Sequence, residues 1–216
     1  MKTKVVMTAP FNTRSGYGDH ARSLFYSIMD REDLQIKCID TKWGETPRNH
    51  LKEEVPRHKK LLDVLSMDTN LDYRPDIYID IRIPNEYAQV GKCNIGITAG
   101  VETDIVSPEF IEGCNKMNFN IVPSKFTSKT FLGTIYDKTE EKNGQKIKMG
   151  EHKVTKPMMV LGEGVDVDVY KPFDVNDNRT KFTDDLDDML KEENFVYLHV
   201  GLWGKGGYGE DRKNIT

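Results

Sequence analysis

Residues 5–40 constrain the fold more than any other part of the chain. VVMTA is a short apolar run, and FNTRSGYGDHARSL follows it with two glycines around a tyrosine. Ala21, Leu24, Phe25 and Ile28 then recur at i, i+3, i+4 and i+7, before LQIKCID restores an apolar run at 34–40. The apolar runs have the length of buried strands, and the spacing between them is one face of a helix. Strand, glycine loop, helix and strand form a βαβ unit, whose strands lie parallel because the helix carries the chain back. The expectation is an α/β protein with a Rossmann-like parallel sheet flanked by helices.

The rest of the chain repeats the alternation. Leu61, Leu62 and Leu65 suggest one short helix between Pro47 and the next strand. IYIDIRI at 77–83 places isoleucine at every second position, which predicts a strand with one buried face. CNIGITAG at 93–100 reads as a further strand. Pro108 opens a helix with Ser107 as its N-cap and Phe110, Ile111, Cys114 and Met117 on its apolar face. Residues 120–123 give another short strand, and Ser124 caps a helix carrying Phe131, Leu132 and Ile135. The polar, lysine-rich stretch 137–156 reads as a surface excursion or β-hairpin. PMMVLGEGVD then returns the chain to the core. FTDDLDDMLK reads as an amphipathic acidic helix with a solvated face, and NFVYLHVG at 194–201 as a fresh strand before a glycine-rich loop.

Composition excludes some partners. Net charge is -4 and charged residues make up 31%, so no global basic excess argues for nucleic acid. The three cysteines, Cys38, Cys93 and Cys114, are an odd number with no C-x-x-C pair, which points away from a disulfide framework and toward a reducing, cytoplasmic compartment. No window approaches the roughly 18 apolar residues of a membrane helix. The histidines at 20, 50, 58, 152 and 199 lack H-x-x-x-H spacing, so no protein-built metal site is expected.

Ligand sites of α/β sheets gather at the carboxyl ends of the strands, and candidate chemistry falls there repeatedly. Ser15, Gly16, Tyr17 and Gly18 stand between the first strand and first helix, where backbone N–H groups favour anions and glycines admit a ligand or another backbone. His20 lies in the first helical turn. Glu102 and Thr103 follow the 93–100 strand; a carboxylate there can hold sugar hydroxyls or act as a base, while Asp104 or Ser107 can simply cap the next helix. Glu163 lies between two glycines after another strand, in a setting that suits a turn equally. Gly201, Arg212 and Lys213 border a glycine-rich loop whose backbone and paired cations suit a diphosphate.

Several of these stretches are similar to the glycosyltransferases of family 4, retaining enzymes with the two-lobed GT-B fold. FNIVPSKFTSKTF at 119–131 and LGEGVDVDVYKPF at 161–173 carry the resemblance, with ITAGVETDIVSPEFIEGCNKM from Ile97 and SGYGDHARSL in matching order and spacing. The resemblance implies an acceptor-side domain over residues 1–173, a linker with an acidic helix over 174–193, and the start of a nucleotide-sugar-binding domain over 194–216. It implies transfer of a sugar from a nucleotide-diphosphate sugar, as co-substrate and without a cofactor, to an acceptor that is a glycan, lipid, protein or modified nucleic acid. Within it, Glu102 takes a catalytic place, the glycine loop with His20, Thr103 and Glu163 lines the cleft, and Lys213 matches the basic residue at the donor phosphates. Two departures stand out: Leu202 follows Gly201 where the family often has arginine, and the loop up to Asp211 is longer than usual. The family's acidic donor motif would lie beyond Thr216. An alternative reading is a non-catalytic binding module that keeps the acceptor-side fold; a chain continuing past Thr216 favours the enzyme.

Overall fold

A computed structural model describes residues 2–142, 145–168, 170–172, 181–191 and 195. The chain separates into two compact units, Met1–Val165 and Asp166–Thr216. In the first unit, β1 (Thr3–Ala9), α1 (Gly16–Ile28) and β2 (Leu34–Asp40) form the expected βαβ unit. They are followed by α2 (Pro56–Leu62), β3 (Leu65–Ser66), β4 (Ile77–Ile81), a 3-10 turn at Pro84–Glu86, and β5 (Cys93–Ile97). Then come α3 (Pro108–Lys116), β6 (Phe119–Val122), α4 (Lys125–Gly133), the strands β7 (Tyr136–Lys142) and β8 (Gln145–His152), and β9 (Met158–Val160). The second unit includes α5 (Lys181–Leu190), the expected acidic helix.

Seven strands form one sheet in the order β3-β2-β1-β4-β5-β6-β9, every pair parallel. The chain builds outward from β1 to β3, then crosses back to β4 on the other side of β1. That reversal puts a topological switch point between β1 and β4, where the flanking loops part and leave a crevice at the carboxyl ends. The strands β7 and β8 form a separate antiparallel hairpin with a register shift at Lys138/Thr139, as the lysine-rich composition of that stretch allows.

The sheet is covered on both faces. Val5, Met7 and Ala9 of β1 pack with Ala21 and Phe25 of α1, while Val6 between them packs with Ile39 and Tyr78 in a second cluster. A strand buried on both sides needs an unbroken apolar run, which is what VVMTA supplies. A third cluster joins Val106, Ile111, Cys114, Phe131 and Val154. Serine caps hold the last two sheet-packed helices: the Ser107 hydroxyl accepts from Phe110 N and that of Ser124 from Thr127 N.

Four expectations are corrected. Leu65 does not share a helix with Leu61 and Leu62: α2 ends at Leu62, and Leu65 opens the strand β3. β4 does not have one buried face: Ile77 and Ile79 are half-buried, whereas Tyr78, Asp80 and Ile81, from both faces of the strand, are buried. As a central strand β4 is covered on both sides, and Asp80 is tolerated inside because Arg82 donates to both its oxygens, at 2.7 and 2.8 Å, and Ala88 N donates at 3.1 Å. On α4 the inward face is Thr127, Thr130 and Phe131; Leu132 and Ile135 are 48% and 49% exposed, because Leu132 lies off that face and α4 ends before Ile135. In β9 only Met158 packs inward; Met159 and Val160 are exposed because β9 is an edge strand. The strand expected at 194–201 lies outside the described residues, except Phe195, which is in no regular element.

Candidate functional site

The loop leaving β1 is fixed by its own side chains. Ser15 caps α1, its hydroxyl accepting from Gly18 N at 3.1 Å, and it lies 2.7 Å from the Thr13 hydroxyl. Arg22, one turn into α1 and 3% exposed, donates to the carbonyls of Phe11, at 2.5 Å, and Thr13, at 2.9 Å, and pairs with Asp19. A guanidinium this deep is stable only because its donors are matched. The two glycines differ in role. A Cβ on Gly18 would stand 2.6 Å from the Thr13 carbonyl oxygen and 2.9 Å from Arg22, so Gly18 lets helix and loop close on each other. A Cβ on Gly16 would meet nothing within 4 Å; Gly16 faces open space at the helix N-terminus, where the backbone N–H groups have no carbonyl behind them.

Tyr17, between them, reaches across the switch point. Its hydroxyl lies 2.8 Å from the Thr98 hydroxyl and accepts from Ala99 N at 3.1 Å, tying the β1 loop to the segment after β5. Burial raises the Tyr17 phenol above its usual value, against those two hydrogen bonds, so it stays protonated. Its ring packs on Trp43 with centroids 4.2 Å apart and planes tilted by 33°.

His20 and Glu163 come together from opposite ends of the unit, with His20 Nδ1 3.9 Å from Glu163 Oε1. Burial holds the His20 imidazole below its ordinary value, with Glu163 opposing. The pair is a polar contact between a neutral ring and a carboxylate rather than a salt bridge at neutral pH. Glu102 and Thr103 lie on the exposed loop after β5, where the Thr103 hydroxyl donates to the Ile105 carbonyl at 2.7 Å. Gly201, Arg212 and Lys213 lie outside the described residues. Among the described residues, no group of three or more His, Cys, Asp and Glu side chains could hold a metal ion, and no helix is long and apolar enough to cross a membrane. Cys38, Cys93 and Cys114 are all free thiols.

Sequence reasoning missed the groups that shape the crevice walls. Asp40, at the end of β2 and 4% exposed, accepts from Asn12 N at 3.1 Å and from Arg48 Nη2 at 2.5 Å. Asp80 with Arg82 does the matching work at β4. Each carboxylate beside β1 pins the loop that follows its strand. The signal was present for Arg22, which lies one turn after Gly18 and beside Ala21 on the inward face, but a charge there reads as exposed by type. Asp40, Arg48 and Trp43 carry no periodic signal at all.

The fold and these loops define an α/β protein of the Rossmann-like class, with its most elaborated surface at the carboxyl ends of β1, β4, β5 and β9. Compared with protein-family models, with curated proteins and with solved structures, the chain matches none.

Proposed function

We propose that the chain is a retaining glycosyltransferase, or its N-terminal portion, that moves a sugar from a nucleotide-diphosphate sugar to an acceptor hydroxyl. The observation that carries this reading is convergence: SGYGDHARSL, ITAGVETD and LGEGVD, far apart in sequence, meet through the Tyr17–Thr98 and His20–Glu163 contacts. Those are three of the stretches on which the family resemblance rests. In the reaction, the bond from the sugar's anomeric carbon to the diphosphate oxygen breaks and a bond to the acceptor oxygen forms. The acceptor proton ends on the departing diphosphate. Gly16 keeps the mouth of the crevice clear, the neutral His20 imidazole offers a hydrogen bond to a sugar hydroxyl, and Glu102 lies on the loop that would position the reacting ring. Arg212 and Lys213 would offset the charge developing on the diphosphate.

The test is release of nucleoside diphosphate from a panel of nucleotide sugars, with and without added glycoside acceptors. Gly16→Val should cut release at least tenfold while Tm changes little, because the added side chain meets open space rather than protein. Lys213→Ala should weaken donor binding. No release and no thermal shift with any nucleotide sugar defeats the reading, and a Gly16→Val chain that fails to fold makes the loop structural instead.

A further inference from the structure

A recess of about 360 Å3 opens beside the Tyr17–Trp43 pair, between the loop after β2 and the turn after β4. Its walls include Lys42, Trp43, Glu45, Thr46, Ile83 and Glu86. We propose that this recess binds an uncharged sugar ring, with Trp43 and Ile83 against its apolar face and Glu45, Glu86 and Thr46 hydrogen-bonded to its hydroxyls. Its role as the acceptor subsite rests on the glycosyltransferase reading; the binding itself does not.

Three observations carry the assignment. First, the size fits the small end of ligand sites, which run from about 300 to 1,000 Å3. Second, the lining pairs an aromatic face with carboxylates and a hydroxyl. A sugar ring presents C–H groups on its face and hydroxyls around its edge, so it needs both. The lining side chains carry two carboxylates and one ammonium, and the Arg82 guanidinium lies 3.5 Å from the Glu86 carboxylate, so the recess is close to charge balance and offers no net positive charge to hold a phosphate or uronate. Third, the walls are held before any ligand arrives. Trp43 packs on Tyr17, Thr46 N closes a turn on the Trp43 carbonyl at 3.0 Å, and Arg14 N and His50 N anchor the loop through the Pro47 and Asn12 carbonyls. Across the recess, Arg82 donates to the Glu86 carbonyl at 2.7 Å. A preformed site loses less entropy when it binds.

The experiment follows the fluorescence of Trp43 in a chain carrying Trp203→Phe, since the sequence has two tryptophans. The probes are the methyl glycosides of glucose, mannose and galactose, with glucuronate and glucose 6-phosphate as charged counterparts; calorimetric titration is the second readout. At least one neutral glycoside should bind saturably, and the charged sugars should bind no more tightly. Trp43→Ala should lose calorimetric binding with Trp43→Phe retaining part of it. Glu86→Gln, which removes the carboxylate paired with Arg82, should tighten the charged probes relative to the neutral ones. No saturable binding by any neutral glycoside, tighter binding by the charged ones, or binding unchanged in Trp43→Ala overturns the proposal. Glycoside binding without nucleoside diphosphate release would sink the transferase reading and leave the recess; release without glycoside binding would do the reverse.

Discussion

His20 shows how burial sets a single group's chemistry. Its ring is held below the ordinary 6.5 chiefly by burial, as are the rings of His50 and His58. The unfolded chain takes up protons at these rings at a higher pH than the folded one does. Stability from this source is therefore complete above about pH 6.5 and declines as pH falls toward the folded values. His20→Gln should flatten the fall in Tm between pH 7 and pH 5. Glu163→Gln should steepen it, because the carboxylate is what partly restores the proton affinity of His20. Parallel Tm profiles for wild type and both variants would show that His20 does not titrate differently on folding. Its place in the first helical turn was legible in the sequence. The contact with Glu163 was not, because 143 positions separate them and no local pattern encodes that meeting.

Among elements, α3 is the most tightly docked. A Cβ on Gly113 would lie 1.8 Å from the Pro84 carbonyl oxygen, so the helix rests directly on the backbone of the turn at Pro84–Glu86. That turn also supplies Glu86 to the recess, which links helix packing to the wall of the crevice. Gly113→Ala must push the two apart, at about 2–3 kcal/mol and a fall in Tm of roughly 4–12 °C. Thermal unfolding measures it; a shift below 1 °C would mean that the docking is looser than described. Sequence reading placed the start, cap and inward face of α3 correctly, since all three are local. Gly113 drew no notice, because a glycine inside a helix declares its purpose only when its neighbour is known.

Across the whole molecule, burial sorts the thiols. Cys38 lies in the cluster around β1 and Cys114 in the one around α3 and Phe131; burial pushes the Cys38 thiol far up and that of Cys114 to about 12. Cys93, at the start of β5, is half-buried. A thiol-specific reagent should therefore modify Cys93 in the native chain and all three cysteines only after denaturation. Rapid native labelling of Cys38 or Cys114, read by peptide mass, would show that one of these clusters opens.

The βαβ unit at the start, the serine caps at Ser107 and Ser124, and a surface excursion or hairpin after α4 follow from the sequence by itself. Each depends on the periodicity or chemistry of residues a few positions apart, and such patterns survive being read in isolation. The strand order, the double coverage of β4, the burial of Arg22, Asp40 and Asp80, and the pairing of Tyr17 with Trp43 belong to the tertiary structure. They depend on which distant segments share a boundary, and a buried charge becomes tolerable only when those segments bring its partners. The opening SGYG divides along the same line: its position at a strand-to-helix turn is local, while only the neighbours distinguish Gly18, packed on Thr13, from Gly16, which faces open space.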